Sequence, residues 1–214
     1  MPLKITDRDA LLIIDVQNDF CPGGALPVPH GDEVVPVINR LAPLFTCVVL
    51  TQDYHPAGHL SFASSHSGEK PFNTTRVIYG EQTLWPDHCI QGSEGAAFHR
   101  DLDTTSARLV LRKGFRREID SYSAFQENDR VTKTGLAGYL RELGIERVFL
   151  AGLAYDYCVH YSAVDARGAG FKAVVIEDAC RAIGLNNSVE AARSEFSSCG
   201  VEQITSCEFS LVVR

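Results

Sequence analysis

The sequence predicts a three-layer α/β/α fold, with helices on both faces of a mostly parallel six-stranded sheet. Three observations predict it. Short runs of Val, Ile and Leu recur without polar alternation, the pattern of strands buried on both faces. Segments of helical periodicity lie between those runs. Strand and helix therefore alternate along the whole chain, which is the order that builds doubly wound layers.

The elements follow in order. Ala10-Leu11-Leu12-Ile13-Ile14 is the first strand, and it ends at Asp15. Within 32–45, Val34, Val35, Ile38, Leu41 and Leu44 share one helical face. Cys47-Val48-Val49-Leu50 is the second strand. The stretch 54–107 has weak periodicity and many Gly, Ser, Pro and His residues; so long a loop usually carries function or short elements of its own. Arg108-Leu109-Val110-Leu111 is the third strand, 134–143 a helix, and Val148-Phe149-Leu150-Ala151 the fourth strand. Residues 159–169 form a helix of small side chains suited to close packing on a sheet. Ala173-Val174-Val175-Ile176 is the fifth strand, 188–199 a helix, and 201–204 the start of a sixth strand. No repeat, low-complexity tract or linker interrupts the series, so 1–214 is expected to form a single domain. A chain of this length buries roughly 70% of its unfolded surface and needs no covalent staples.

Composition narrows the function. The chain is 45% hydrophobic and 22% charged, which argues against disorder. Its formal net charge of -7 supplies no basic surface for nucleic acid. The densest basic cluster, Arg112, Lys113, Arg116 and Arg117, is short and reads as a solvated loop. No apolar run approaches the ~20 residues of a membrane span. The segment after Met1 has no apolar core of a secretory signal, so a cytoplasmic location is expected. The 7 cysteines include no C-x-x-C pair, which argues against a disulfide framework or a zinc ribbon. Most should be buried, and at least one is a candidate reactive thiol.

In open α/β sheets, ligands bind beyond the carboxyl ends of the strands. The residues there are Asp15, then Thr51-Gln52-Asp53-Tyr54-His55, then Lys113-Gly114, then the segment from Gly152 to Cys158. An ionised Asp15 after an apolar run costs several kcal/mol unless paired, so it is either a structural cap or a general base. Cys158 falls just inside a predicted helix N-terminus, where backbone N–H groups favour a thiolate and can hold an oxyanion. It is either inert packing or a nucleophile whose proton Asp15 takes while Lys113 lowers its pKa. Asp53 and His55, two apart in an extended segment, point to the same side. They suit one metal, with His59 and His88 as further candidates, or else they are ordinary hydrogen-bonded surface groups. Mixed oxygen and imidazole ligands suit Zn, Fe or Mn.

Together the motifs Asp15-Val16-Gln17-Asn18-Asp19-Phe20, Thr51-Gln52-Asp53-Tyr54-His55-Pro56, Leu84-Trp85-Pro86-Asp87-His88-Cys89, Arg112-Lys113-Gly114 and Asp156-Tyr157-Cys158 resemble those of bacterial nicotinamidases, also called pyrazinamidases. These belong to the isochorismatase-like cysteine hydrolases, and the likeness runs in order along nearly the whole chain. The resemblance implies the isochorismatase-like hydrolase fold and hydrolysis of nicotinamide to nicotinate and ammonia, a step of NAD salvage, with pyrazinamide a further substrate. It implies a catalytic set of Asp15, Lys113 and Cys158, with the backbone N–H groups of Ala154 and Cys158 as oxyanion donors. It implies one divalent metal ion on Asp53, His55 and His88. Members differ in the remaining ligand, which leaves His59 open as a ligand and Ser61 as a residue beside the set. It implies a pyridine pocket lined by Phe20, Trp85 and Tyr122, and a cis peptide at Ala154-Tyr155. Tyr155 itself departs from the usual Thr or Ser. Relatives acting on N-carbamoyl or maleamate-type amides keep the Asp, Lys and Cys but typically lack the metal set, so Asp53, His55 and His88 are the discriminating residues. A non-catalytic metal-binding or thiol-redox protein is the reading from another class. Oligomeric state is left open, a homo-oligomer included.

Overall fold

The computed structural model describes residues 3–209. Among them, eight strands form: β1 (Asp9–Ile14), β2 (Cys47–Asp53), β3 (Thr74–Val77), β4 (Gly80–Thr83), β5 (Ala107–Lys113), β6 (Arg147–Leu153), β7 (Lys172–Arg181) and β8 (Glu202–Ile204). Six make one sheet in the order β5-β2-β1-β6-β7-β8, and every neighbouring pair is parallel. The chain leaves β1 toward one edge, then returns to β6 and builds toward the other. Loops after β1 and β6 therefore diverge and open a crevice between them.

The apolar runs explain both helical layers. Leu11, Ile13, Val48, Leu50, Phe149, Ala151, Val174 and Ile176 pack on one face with Val34, Val35, Ile38 and Leu41 of α1 (Val34–Leu41). Ala10, Leu12, Ile14, Val49, Val148, Leu150, Ala173 and Val175 pack on the other. That second face is covered by α2 (Leu136–Glu142), α3 (His160–Gly168) and α4 (Ser188–Cys199), through Leu136, Leu140, Ala163, Ala166, Ala192 and Phe196. Successive strand residues point to opposite faces, so a strand covered on both sides has no polar position to spare.

The differences from expectation are local. The first helix is shorter than 32–45, because tight turns at Gly31–Glu33 and Ala42–Leu44 flank it and Pro43 lacks the donor that would continue it. β7 runs on past Ile176 through Glu177 and Asp178 to pair Cys180 with Gly152 and Arg181 with Leu153. Its polar middle hides the extension. The weakly periodic stretch contains an antiparallel hairpin, β3 with β4. Lys113 does not belong to a solvated loop: it is only 1% exposed, because it ends a strand and its ammonium is drawn inward to Asp15 and Asp53. Five of the seven cysteines are buried, Cys199 is half-buried and Cys207 exposed, all as free thiols. Among the described residues no helix is long and apolar enough to cross a membrane.

Candidate active site

Four strand ends deliver the polar groups. Asp15 follows β1 with φ of +46°, Asp53 ends β2, Lys113 ends β5, and Cys158 sits in a wide turn, Tyr155–Val159, between β6 and α3. Lys113 Nζ is the hub. It lies 2.8 Å from Asp15 Oδ2, 2.7 Å from Asp53 Oδ1, 2.9 Å from the Ser121 carbonyl and 3.5 Å from Cys158 Sγ. The contact with Asp15 Oδ2 is an ion pair without hydrogen-bond geometry, and that buried oxygen accepts from no other group among the described residues. The other oxygen, Oδ1, accepts from Thr51 Oγ1 at 2.7 Å, and Thr51 in turn accepts from the Asp15 N–H at 3.1 Å.

The two carboxylates are driven apart. Burial pushes Asp15 up, with the neighbouring Asp53 adding to it, against the pull of Lys113. At Asp53 burial is outweighed by Lys113 and His55, which hold it well below the ordinary range. The difference favours Asp15 over Asp53 as a base. Burial also pushes the Cys158 thiol well above its ordinary value; Lys113 opposes this and Asp15 reinforces it. This corrects the expectation of a favoured thiolate at the helix end. Desolvation of the buried sulfur works against the turn's dipoles, which gives a neighbouring base a role.

The turn itself is tied down. Asp156 accepts from the N–H groups of Ile183 at 2.9 Å and Gly184 at 2.8 Å, and from the Ser188 hydroxyl. The Ala154 carbonyl accepts from the N–H groups of Tyr157 and Val159. The N–H of Ala154, just before that turn, has no backbone acceptor outside the helices and strands among the described residues. The cis peptide lies at Leu153-Ala154, one bond earlier than the resemblance implies. Tyr155 instead packs edge-on against Phe196 and donates to Gln203 at 2.7 Å, so its ring belongs to the core rather than to the site.

Beside this cluster, Asp53, His55 and His88 bring one ligand atom each within 4.8 Å of one another. Asp53 Oδ2 is 3.2 Å from His55 Nε2 and 3.5 Å from His88 Nε2. The other nitrogen of each ring lies 2.8 Å from a backbone carbonyl, that of Gly114 for His55 and that of Pro86 for His88. A carbonyl only accepts, so each Nδ1 donates to it, and each Nε2 is left facing the Asp53 carboxylate. Rings fixed in this way are the usual support of metal-bound histidines. Asp53 divides its oxygens, Oδ1 to Lys113 and Oδ2 to the histidines. The donor set fits a divalent cation.

His59 is held differently. Its Nε2 donates to the Arg116 carbonyl at 2.8 Å and its Nδ1 accepts from Ser61 Oγ at 2.8 Å. Neither nitrogen is free, and the ring stacks 4.3 Å from that of His55. His59 also forms a second buried group with His55 and Asp120, whose candidate ligand atoms lie within 4.8 Å of one another.

A cavity of about 330 Å³, counting its open mouth, joins the two sets. Phe20, Trp85 and Tyr122 line it as expected, with Leu26, Asp120, Tyr157 and Ile183. Trp85 meets Tyr157 edge-on at 5.0 Å, and Phe20 meets His88 at 5.4 Å. Sequence reasoning missed several supporting residues. Gln17 grips the Asp53 backbone at both ends, donating to its carbonyl and accepting from its N–H, each at 2.8 Å. Asp19 accepts from the Cys89 N–H at 2.7 Å, next to His88. Both residues sit in the motif that follows β1, which was their only signal.

Residues 9–208 match the model of the isochorismatase domain family. The chain belongs to that family. It is 50% identical over 204 residues, 95% of each chain, to a nicotinamidase of Acinetobacter baylyi. Among solved structures it resembles a nicotinamidase/pyrazinamidase of Acinetobacter baumanii, with TM-score 0.95 and 52% identity over 96% of this chain and 99% of that one. A pyrazinamidase of Pyrococcus horikoshii in complex with zinc is 34% identical, with TM-score 0.74 over 92% of this chain and 99% of that one. Among family members the arrangement of side chains, more than the shared fold, distinguishes one chemistry from another.

Proposed function

We propose that this protein is a metal-assisted cysteine amidohydrolase that converts nicotinamide to nicotinate and ammonia, a step of NAD salvage, and that it also takes pyrazinamide. One observation carries the reading: a buried thiol, an ammonium and a high-pKa carboxyl meet at one end of an aromatic pocket whose other end offers Asp53, His55 and His88. The similarity to nicotinamidases supports the same substrate class.

Asp15 takes the proton from Cys158 Sγ, and Lys113 balances the charge. The sulfur attacks the carboxamide carbon. The N–H groups of Ala154 and Cys158 hold the oxyanion, and donors so aimed are worth ~3 kcal/mol each. Asp15 passes its proton to the departing ammonia, which leaves a thioester on Cys158. Water then attacks the thioester carbon with Asp15 again as base, which releases nicotinate and restores the thiol. The pocket walls, Phe20 and Trp85 foremost, grip the ring by edge and offset contacts. A divalent ion on Asp53, His55 and His88, with zinc the first candidate, would take up the ring nitrogen directly or through water and so orient the amide.

The test is ammonia release from nicotinamide by metal-analysed wild type and by Cys158→Ala. Release by wild type and none by the variant, with metal retained in both, is the expected result. Turnover by Cys158→Ala at the wild-type rate would refute the covalent route. No release by metal-loaded wild type would move the substrate to another amide.

A further inference from the structure

The β3–β4 hairpin is a mostly exposed arm, and Ile78 at its tip is 93% exposed. Gln82 is its exception: it is 1% exposed and its amide reaches the pocket wall. Its Nε2 lies 2.8 Å from Asp120 Oδ2, 2.8 Å from the Thr83 carbonyl and 3.1 Å from the Tyr122 hydroxyl, so two protons serve three acceptors and the Tyr122 contact is the shared one. Its Oε1 accepts from the Tyr79 hydroxyl at 2.9 Å and from Asn128 Nδ2 at 3.4 Å. Asn128 in turn accepts from the Tyr122 N–H at 3.1 Å, and Tyr79 accepts from the Asp120 N–H at 3.1 Å. One buried amide thus joins the hairpin to both ends of the wall segment 120–128.

The consequence falls on Tyr122. Its oxygen accepts from Gln82 Nε2 and, on another side, from Trp85 Nε1 at 3.1 Å. These two contacts pin the phenol oxygen from the hairpin and from the indole. The ring faces the cavity, edge-on to Trp85 at 6.1 Å and to Tyr157 at 5.7 Å. The pose of two of the aromatic walls therefore depends on a residue that does not itself line the pocket.

We propose that Gln82 is a positioning residue for substrate specificity: through the Tyr122 hydroxyl it fixes the Tyr122–Trp85 wall that grips a flat, six-membered nitrogen heterocycle bearing a carboxamide. This rests on the nicotinamidase reading for the identity of the heterocycle. Gln82 makes no contact of its own with Lys113, Asp15 or Cys158; its nearest route to them runs through Asp120 and the Ser121 backbone, so its direct effect falls on binding. Loss of its hydrogen bonds should weaken ring binding by about tenfold.

Gln82→Met, Tyr122→Phe and the double variant test it. Gln82→Met should raise KM for nicotinamide about tenfold, leave kcat within about twofold, and leave metal content unchanged. The effect should shrink sharply in the Tyr122→Phe background, since Gln82 acts through that hydroxyl. Trp85 is the only tryptophan in the chain, so its fluorescence reports the wall directly and should change in Gln82→Met. Unchanged KM and fluorescence, an effect confined to kcat, or effects of the two substitutions that multiply independently would each overturn the proposal. If Gln82→Met fails to fold, Tyr122→Phe alone decides: it too must raise KM with kcat preserved. A wild type that neither hydrolyses nicotinamide nor shows quenching by it would instead overturn the substrate reading, and leaves the fluorescence comparison to judge Gln82.

Discussion

Replacing Gly114 with alanine should disrupt the proposed metal site by displacing His55. Gly114 follows Lys113 with φ of +66°, where an L side chain costs roughly 1–2 kcal/mol. The larger effect is steric. A Cβ there would lie 2.4 Å from His55 Cε1, 2.7 Å from His55 Nδ1 and 3.2 Å from Asp53 Oδ1. Ordinary contact begins at 3.4 Å, so the imidazole must retreat by about 1 Å. Ligand distances in a metal site hold to about 0.2 Å, so the displacement is about five times the tolerance. It also strains the 2.8 Å bond from His55 Nδ1 to the Gly114 carbonyl that fixes the ring. Loss of such support typically costs 10–100-fold in metal affinity, and direct displacement of the ligand puts Gly114→Ala at or beyond the upper end. The assay is competition between the apo protein and a chromogenic zinc chelator, with Tm measured with and without zinc. Wild type should gain Tm on adding zinc and the variant should gain little. A variant that binds zinc as tightly as wild type would refute the assignment of His55, because no imidazole could keep its place beside that methyl group.

Two further substitutions probe the catalytic and structural carboxylates. Thr51→Val keeps shape but strips Asp15 of a donor to its carboxylate and an acceptor for its N–H, both buried. It should cost about 2–5 kcal/mol and lower Tm on the order of 10 °C by calorimetry; a wild-type Tm would show that these bonds are not needed. Asp9 is paired with Arg147 at 2.7 Å and accepts from the Thr6 N–H at 2.7 Å. Burial would raise its pKa, but those partners together hold it below its ordinary 3.8. A depressed carboxyl stabilises above its unfolded value, and that stability is lost as pH falls through the folded value. Asp9→Asn should therefore lower Tm at pH 7, and the gap from wild type should close as pH falls below about 4; a gap independent of pH would refute the ion pair's role.

Much of the site could be read from the chain because its residues sit at strand ends. An apolar run that stops at Asp15, Asp53 or Lys113 marks the carboxyl edge of a sheet, and parallel strands bring all such edges to one side. The supporting residues were illegible for the opposite reason. Gln82 and Asp120 lie 38 residues apart, on a hairpin and a loop whose sequences lack periodicity, and only folding makes them neighbours. β7 was read short because Glu177 and Asp178 break its apolar pattern while its backbone pairing continues.

The sequence by itself determined the layered fold and the chemical inventory, since burial on both faces of a parallel sheet leaves a continuous apolar pattern and motif spacing survives in one dimension. Tertiary structure alone decided how the groups act. It separated Asp15 from Asp53: both are buried and both pair with Lys113, but only Asp53 also faces His55 and His88. It buried the Cys158 sulfur, which raises the thiol's pKa, and it turned His59 onto Arg116 and Ser61 rather than toward Asp53. Desolvation and hydrogen-bond direction depend on distances between segments remote in the chain, and no local pattern of residues encodes them.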